Sequence, residues 1–308
     1  MITILLAACN GEAYLREQLD SILRQTYTDW VLYISDDASR DATPQIIADY
    51  AARYPKQIIP LQFDTPSGSA EANFFRMLTA VSGDYIALCD QDDVWLPHKL
   101  ETTLHALQAL EERHGIDTPI LIHSDLKVVD QNLNILNESF FAFQNISPER
   151  KELRNYLIQN NVTGCTMMIN RALHQMLDYI PEECTMHDWW LALIACCFGE
   201  IDYITEPLML YRQHGHNQVG AKNAKSFEFI THKLKNRKMV QENYRQMFVQ
   251  AKLFLAHYRP LLNPEQIETL EAFLKIPTLS RIGKARQIIR YRFYKNSFMR
   301  TFGQFFSI

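Results

Sequence analysis

Apolar and polar positions alternate along the first half of the chain in two rhythms, one of short continuous runs and one of helical spacing. Ile2–Ala7 is an apolar run of the kind found in strands covered on both faces. Tyr14, Leu15, Leu19, Ile22 and Leu23 then fall on one face of a helix. Trp30–Ile34 reads as a second strand. Thr43-Pro44 opens a helix with a hydroxyl cap and a proline in its first turn, and Ile46, Ile47 and Tyr50 supply its apolar side. Ile58–Phe63 is a third strand, and Asn73–Val81 a helix closed near Gly83. Tyr85–Cys89 is a fourth strand, Pro97–His114 a helix ended by Gly115, and Ile120–His123 a fifth strand. Strand and helix alternating five times predict an α/β fold with a largely parallel sheet and right-handed crossovers. Ligands of such sheets collect beyond the carboxyl ends of the strands.

Composition narrows the class. The 308 residues are 47% hydrophobic and 21% charged, which excludes a disordered chain, a collagen-like chain and a small disulfide scaffold. The longest uncharged apolar stretch, Trp189–Phe198, is far short of the roughly 20 residues that a spanning helix needs. The start, MITILLAACN, lacks a basic segment and its apolar run is too short for a signal peptide, so it reads as a buried first strand. Six cysteines without a CxxC pair are expected to be reduced core thiols in a cytoplasm.

Charge is unevenly spread. Residues 272–308 hold eight Lys/Arg and no Asp/Glu, although the whole chain carries a net −4. The preceding residues therefore carry 23 basic against 35 acidic side chains. An acidic body is a poor nucleic-acid binder, because phosphate attraction dominates that affinity. The basic segment is also rich in aromatics, from Tyr291 to Phe306. That pattern suits the anionic inner face of a plasma membrane, or a basic helix packed on the acidic body, or dimer contacts.

The unusual polar residues follow the second and fourth strands, as Ser35-Asp36-Asp37-Ala38-Ser39-Arg40-Asp41 and Asp90-Gln91-Asp92-Asp93. Carboxylates so crowded repel one another unless a cation or hydrogen-bond donors hold them. In an extended segment Asp90 and Asp92 would face one ligand together. Oxygen-only ligation suits Mg²⁺ or Mn²⁺ with positions left for phosphate oxygens. The plain alternative is helix capping, which is the favoured reading for Asp41. Neither GxGxxG nor GxxxxGK[ST] occurs, so phosphates would be neutralised by metal and basic side chains.

The segments CNGEAYLREQLDSILRQT, SDDAS, LCDQDDVWLPHKL, NNVTGCTMMIN, MHDWW and YRQHGHNQVG, in this order over residues 1–220, resemble the family 2 glycosyltransferases of GT-A fold, and most of all their rhamnosyltransferase-like members. The resemblance implies a GT-A domain over 1–220, with a mostly parallel mixed sheet flanked by helices, followed by a helical extension over 221–308. It implies that Asp37 reads a pyrimidine base beside Asp36, that Asp92 is the direct metal ligand, and that Asp90 lies nearer the ribose and diphosphate. It implies that Asp188 is the catalytic base and that His214 lies in a loop closing over the diphosphate. His214 could complete the metal shell or only order its loop, and His216 is a weaker rival. Cys9 stands where the motif usually has Tyr, and His187 where many relatives have Glu.

Asn10, Asn73 and Arg76 join the candidate donor contacts. Trp189, Trp190, His187, Asp125 and Gly164 are candidates on the acceptor side, with core packing, a turn or a bulge as the alternatives. By these expectations the chain is an inverting, Mn²⁺- or Mg²⁺-dependent transferase, with dTDP-L-rhamnose favoured over UDP-hexoses as donor. The acceptor would be a growing, lipid-linked cell-surface glycan. In such a reaction charge builds on the departing diphosphate and a carboxylate must take the proton of the attacking hydroxyl. A helix N-terminus favours an ionised Asp188 while the flanking tryptophans desolvate it. A sugar-phosphate nucleotidyltransferase normally needs a glycine-rich basic loop, which Ala8-Cys9-Asn10-Gly11-Glu12 does not supply. A sugar-binding homologue without turnover is the non-enzyme alternative.

Overall fold

A computed structural model describes residues 1–215 and 237–308; His216 lies outside the described residues. These residues fall into two compact units. The first contains Met1–Phe140, Thr163–Met176 and 200–215, and the second contains Phe141–Val162, Leu177–Gly199 and 237–308. Two segments from within 1–220 thus belong with the helices near the chain's end.

In chain order the elements of the first half are β1 (Ile2–Ala8), α1 (Leu15–Leu23), β2 (Trp30–Asp36), α2 (Thr43–Arg53), β3 (Ile58–Leu61), α3 (Ala70–Ala80), β4 (Tyr85–Asp90), β5 (Val94–Trp95) and α4 (Lys99–His114). There follow β6 (Ile120–Val129), β7 (Ile135–Asn137), α5 (Phe140–Gln144), α6 (Leu153–Tyr156), β8 (Met168–Asn170), α7 (Arg171–Met176), α8 (His187–Phe198) and β9 (Glu200–Arg212). The strands form one sheet in the order β3-β2-β1-β4-β8-β6-β9-β5, with β7 on β6. Strands β3, β2, β1 and β4 are parallel, whereas β8 is antiparallel to both β4 and β6, and β9 runs parallel to β6. The sheet is therefore mixed, in keeping with the GT-A expectation. All seven residues of β1 are buried, which is why the run lacks polar alternation.

Three local expectations are corrected. Thr43 lies inside α2, whose N-cap is Ala42, and Asp41 just before it accepts the Thr43 N–H on its Oδ1 at 3.0 Å. The fifth strand runs on to Val129 because His123, Ser124 and Asp125 are buried within it. Cys9 is exposed in the loop after β1, so it is not a core thiol.

In the second unit α8 and α9 (Arg237–Tyr258) pack aromatically, with Trp190 fully buried 5.4 Å from the Phe254 ring. Helix α10 (Pro264–Lys275) starts in a capping box in which Asn263 and Gln266 satisfy each other's backbone N–H. Helices α11 (Arg281–Tyr291) and α12 (Phe298–Ser307) are capped by the hydroxyls of Ser280 and Ser297. Phe273 packs on Phe293 at 5.3 Å, and both are fully buried, worth about 1.5–3 kcal/mol each. The basic segment thus packs in part on its own unit. Among the described residues no helix is long and apolar enough to cross a membrane.

Candidate active site

The chain winds from β1 to β2 and β3 on one side, then returns to place β4 on the other, so the strand order reverses between β1 and β4. In a sheet of this kind a crevice opens at that point beyond the carboxyl ends. The register puts Asp36 opposite Ala8 and Asp90 opposite Ala7, one strand to each side of β1. With strands about 4.8 Å apart, the two acidic segments stand roughly 10 Å from each other. Gln91 bridges the switch point: its amide donates to the Cys9 carbonyl and accepts from the Cys9 N–H, both at 2.8 Å. Gly11 makes room for it, since a Cβ there would lie 2.1 Å from Gln91 Oε1.

On the β2 side, Asp37 is held by donors of this chain. Its Oδ1 accepts from the Ser67 N–H at 2.5 Å and from Arg76 at 3.0 Å, and its Oδ2 accepts from the Gly68 N–H at 3.0 Å. Burial works to raise the Asp37 pKa, but these hydrogen bonds and the Arg76 charge outweigh it, and the carboxyl sits below the usual aspartate value. Arg76 also donates to Asn73 Oδ1, the Thr65 carbonyl and Ser35 Oγ, and lies over the Phe63 ring. Asn73 is buried and exchanges hydrogen bonds with Ser35. Arg76 therefore orients Asp37, and Asn73 supports Arg76. Asp36 accepts from the Ser39 hydroxyl, and Asn10, exposed with φ 50°, accepts the Arg40 N–H at 2.9 Å. Asn10 and Ser39 so tie the loop after β1 to the loop after β2.

On the β4 side the extended arrangement expected for Asp90 and Asp92 does not hold, because the chain turns at Gln91-Asp92 before β5. Asp90 converges instead with Asp93 and Cys165, whose ligating atoms all lie within 4.8 Å of one another. Asp92 Oδ2 lies 2.7 Å from His214 Nε2, and the His214 ring rests on Tyr14 at 4.9 Å. Asp93 is fully buried; burial, with Asp92 and Asp90 close by, pushes its carboxyl well above the ordinary range. Burial likewise raises the Cys165 thiol and lowers Lys99 to about 8.

Arg212 locks this turn and was not foreseen. It is 2% exposed, its N–H donates to Asp93, its guanidinium to the Asp92 and Gln131 carbonyls and to Glu17, and it lies over Tyr14. The available signal was a cation ending the apolar run Leu208–Tyr211.

In the second unit, Asp188 lies in the first turn of α8, nearly buried, and its Oδ1 accepts from Asn160 Nδ2 at 3.1 Å. Trp189 Nε1 donates to the Tyr156 carbonyl at 2.5 Å, so neighbouring residues of α8 grip the 156–160 segment. Trp190, buried among Phe254, Tyr258 and Tyr179, is a core residue and not a sugar platform. Trp189 is also buried with its ring N–H engaged, which removes the expected stacking face. His187 is buried, and burial pushes it down to about 3. In the first unit Asp125 lies mid-strand in β6, bonded to the Ser139 hydroxyl and the Leu126 N–H, and Gly164 lies buried in a single 3₁₀ turn. His187, Asp125 and Gly164 thus have interior places that the acceptor reading did not anticipate.

A family model described as glycosyl transferase family 2 matches residues 3–177. The chain belongs to glycosyl transferase family 2. A dTDP-rhamnosyl transferase, RfbG of Shigella flexneri, is 30% identical over 234 residues, covering 70% of this chain and 74% of RfbG. An uncharacterized protein of Mycobacterium tuberculosis is 34% identical over 217 residues, 70% of this chain, and the chain spans 59% of that relative's length. Among solved structures, S. aureus TarS in complex with UDP superposes with a TM-score of 0.56 at 16% identity, over 91% of this chain and 73% of TarS 1-349. A mannosyltransferase of Pyrobaculum calidifontis, in complex with GDP-Man and Mn²⁺, gives 0.53 at 18% identity, over 94% and 81%. The family's GT-A fold is therefore the fold of this chain.

Proposed function

We propose that this family 2 chain is an inverting glycosyltransferase that moves a sugar, with L-rhamnose from dTDP-L-rhamnose favoured, onto a hydroxyl of a growing cell-surface glycan. The observation that carries the reading is the pair of acidic segments on either side of β1 at the switch point. Their separation of roughly 10 Å suits a base at one end and a diphosphate at the other. The RfbG likeness supports the donor.

Asp37, held ionised by Ser67, Gly68 and Arg76, would offer its carboxylate to the imide N–H of thymine or uracil. The donor set fits a hard divalent ion: Asp90 and Asp92 are half-buried carboxylates, His214 offers an imidazole, and burial holds the Cys165 thiol protonated, out of a soft-metal role. Asp92, with Asp90 and His214, would hold Mn²⁺ or Mg²⁺. When bound, that ion supplies charge neutralisation for a departing diphosphate. Arg212 fixes the Asp92 backbone, and Arg76 fixes Asp37. Asp188 takes the proton of the acceptor hydroxyl.

A thermal-shift panel of nucleotide sugars with and without Mn²⁺ tests the reading, since a donor that binds only the native state raises Tm. Stabilisation by dTDP-rhamnose in Mn²⁺, lost in Asp92→Ala, is the expected result. Stabilisation by UDP-hexoses alone would overturn the donor, and no stabilisation with any nucleotide sugar would overturn the activity.

A further inference from the structure

Among the described residues of the second unit, two helices in the most basic part of the chain carry exposed apolar side chains. In α12, Phe298 is 82% exposed, Met299 61% and Phe302 52%. Phe298 and Phe302 are one turn apart, so their rings share a face and Met299 borders it. In α11, Ile282 is 68% and Ile289 56% exposed, with Arg286 between them on the same face. The two helices are tied together where Lys284 Nζ donates to the Ile308 carbonyl at 3.2 Å.

On α12 the exposed Phe298 and Phe302 rings lie side by side, and grouped exposed apolar residues mark interaction surfaces more than scattered single ones do. Charge decides which partner. Arg281, Arg286, Arg290 and Arg292 are exposed on or beside this face, and no Asp or Glu occurs anywhere in 272–308. The inward side explains why the helices stay folded while the outer side is exposed: Ile288, Phe293 and Gln304 are buried, and Gln304 donates to the Phe293 carbonyl at 2.9 Å. Apolar side chains flanked by arginines, on helices already anchored from behind, form the amphipathic arrangement that lies in the headgroup layer of an anionic bilayer. A second copy would set arginine against arginine across the interface, which disfavours a dimer here.

We propose that the outer face of α11 and α12 docks on an anionic lipid surface, with Phe298, Met299, Phe302, Ile282 and Ile289 entering the acyl boundary and the arginines pairing with lipid phosphates.

The test is co-sedimentation of the full chain with vesicles of equimolar phosphatidylglycerol and phosphatidylcholine, against pure phosphatidylcholine, at low and high salt. The expected result is binding to the anionic vesicles only, weakened by salt. The triple change Arg281→Gln, Arg286→Gln, Arg290→Gln should weaken it roughly 10²-fold. The pair Phe298→Glu, Phe302→Glu should weaken it at least about tenfold. Equal binding to both vesicle types, no binding of the unaltered chain, or variants that bind like it would overturn the proposal. So would a dimer in sedimentation velocity that the Phe298→Glu, Phe302→Glu pair disperses without any vesicle binding. The headgroup and salt comparisons use the unaltered chain and so stand even if a variant fails to fold.

Discussion

His214 Nε2 and Asp92 Oδ2 lie 2.7 Å apart, although 122 residues separate them in sequence. The contact is held from two sides: the Tyr14 ring lies tilted against the imidazole at 4.9 Å, and Arg212 fixes the Asp92 carbonyl. If Asp92 holds a cation as proposed, an imidazole so placed would serve it directly or by orienting its ligand. Replacing such a group costs about 10–100-fold in metal affinity. His214→Ala should therefore raise the Mn²⁺ concentration needed for donor-induced stabilisation by that factor, while leaving the metal-free melting curve close to that of the parent. Titration of Mn²⁺ at fixed nucleotide sugar reads it, and an unchanged midpoint refutes the role.

Gly11 and Gln91 should behave as one unit. A methyl at residue 11 displaces a flexible side chain, so the steric cost is small, but both hydrogen bonds from Gln91 to Cys9 are lost. At about 0.5–1.5 kcal/mol per bond, Gly11→Ala and Gln91→Ala should each destabilise by about 1–3 kcal/mol. The double variant should cost little more than either one, because the second change has nothing left to break. Urea unfolding of the three variants gives the cycle, and simple additivity would show that the two residues act separately.

The sheet was legible because its signals are local. Runs such as Ile2–Ala7 and Tyr85–Cys89 are continuously apolar, and α4 ends where Gly115 takes φ 98°. The acidic segments were legible as well, since carboxylates after buried strands stand out in any reading. What could not be read was pairing across the chain. Nothing near Asp37 announces that Ser67 and Gly68 will bind it, nor does Arg76 reveal that it faces inward. The period-two argument failed at Asp92 because a turn at Gln91 replaces the extended chain it assumed. Trp189 and Trp190 showed the opposite error: aromatic residues beside a candidate base suggest sugar stacking, whereas α8 is buried on every side there and uses both rings for packing.

Buried His187 should make the chain sensitive to mild acid. Its pKa is pushed down to about 3 by burial, while the unfolded chain protonates it near 6.5. Between those values the unfolded state binds more protons, so its contribution to stability is complete above about 6.5 and is lost as pH falls towards 3. The slope approaches about 1.4 kcal/mol per pH unit. His187→Gln should flatten melting temperature against pH between 6.5 and 4.5, whatever its effect at pH 7. If the variant keeps the parent's slope, another group is responsible.

Asn160 and Asp188 separate a positioning effect from a chemical one. The Asn160 amide donates to Asp188 Oδ1, and Trp189 pins the same segment through the Tyr156 carbonyl, so the carboxylate is aimed from a backbone that α8 itself secures. If Asp188 takes the acceptor proton, Asp188→Asn should lower kcat by about 10²–10⁴-fold and leave donor binding intact. Asn160→Ala retains the carboxylate and loses only its aim, so kcat should fall by less, with the KM for donor unchanged. Asn160→Asp would set a second carboxylate beside the first and should be worse than alanine, an outcome that a purely steric role for residue 160 does not produce. Comparable turnover in Asp188→Asn and the parent would remove Asp188 from the chemistry and leave it as part of the grip on residues 156–160.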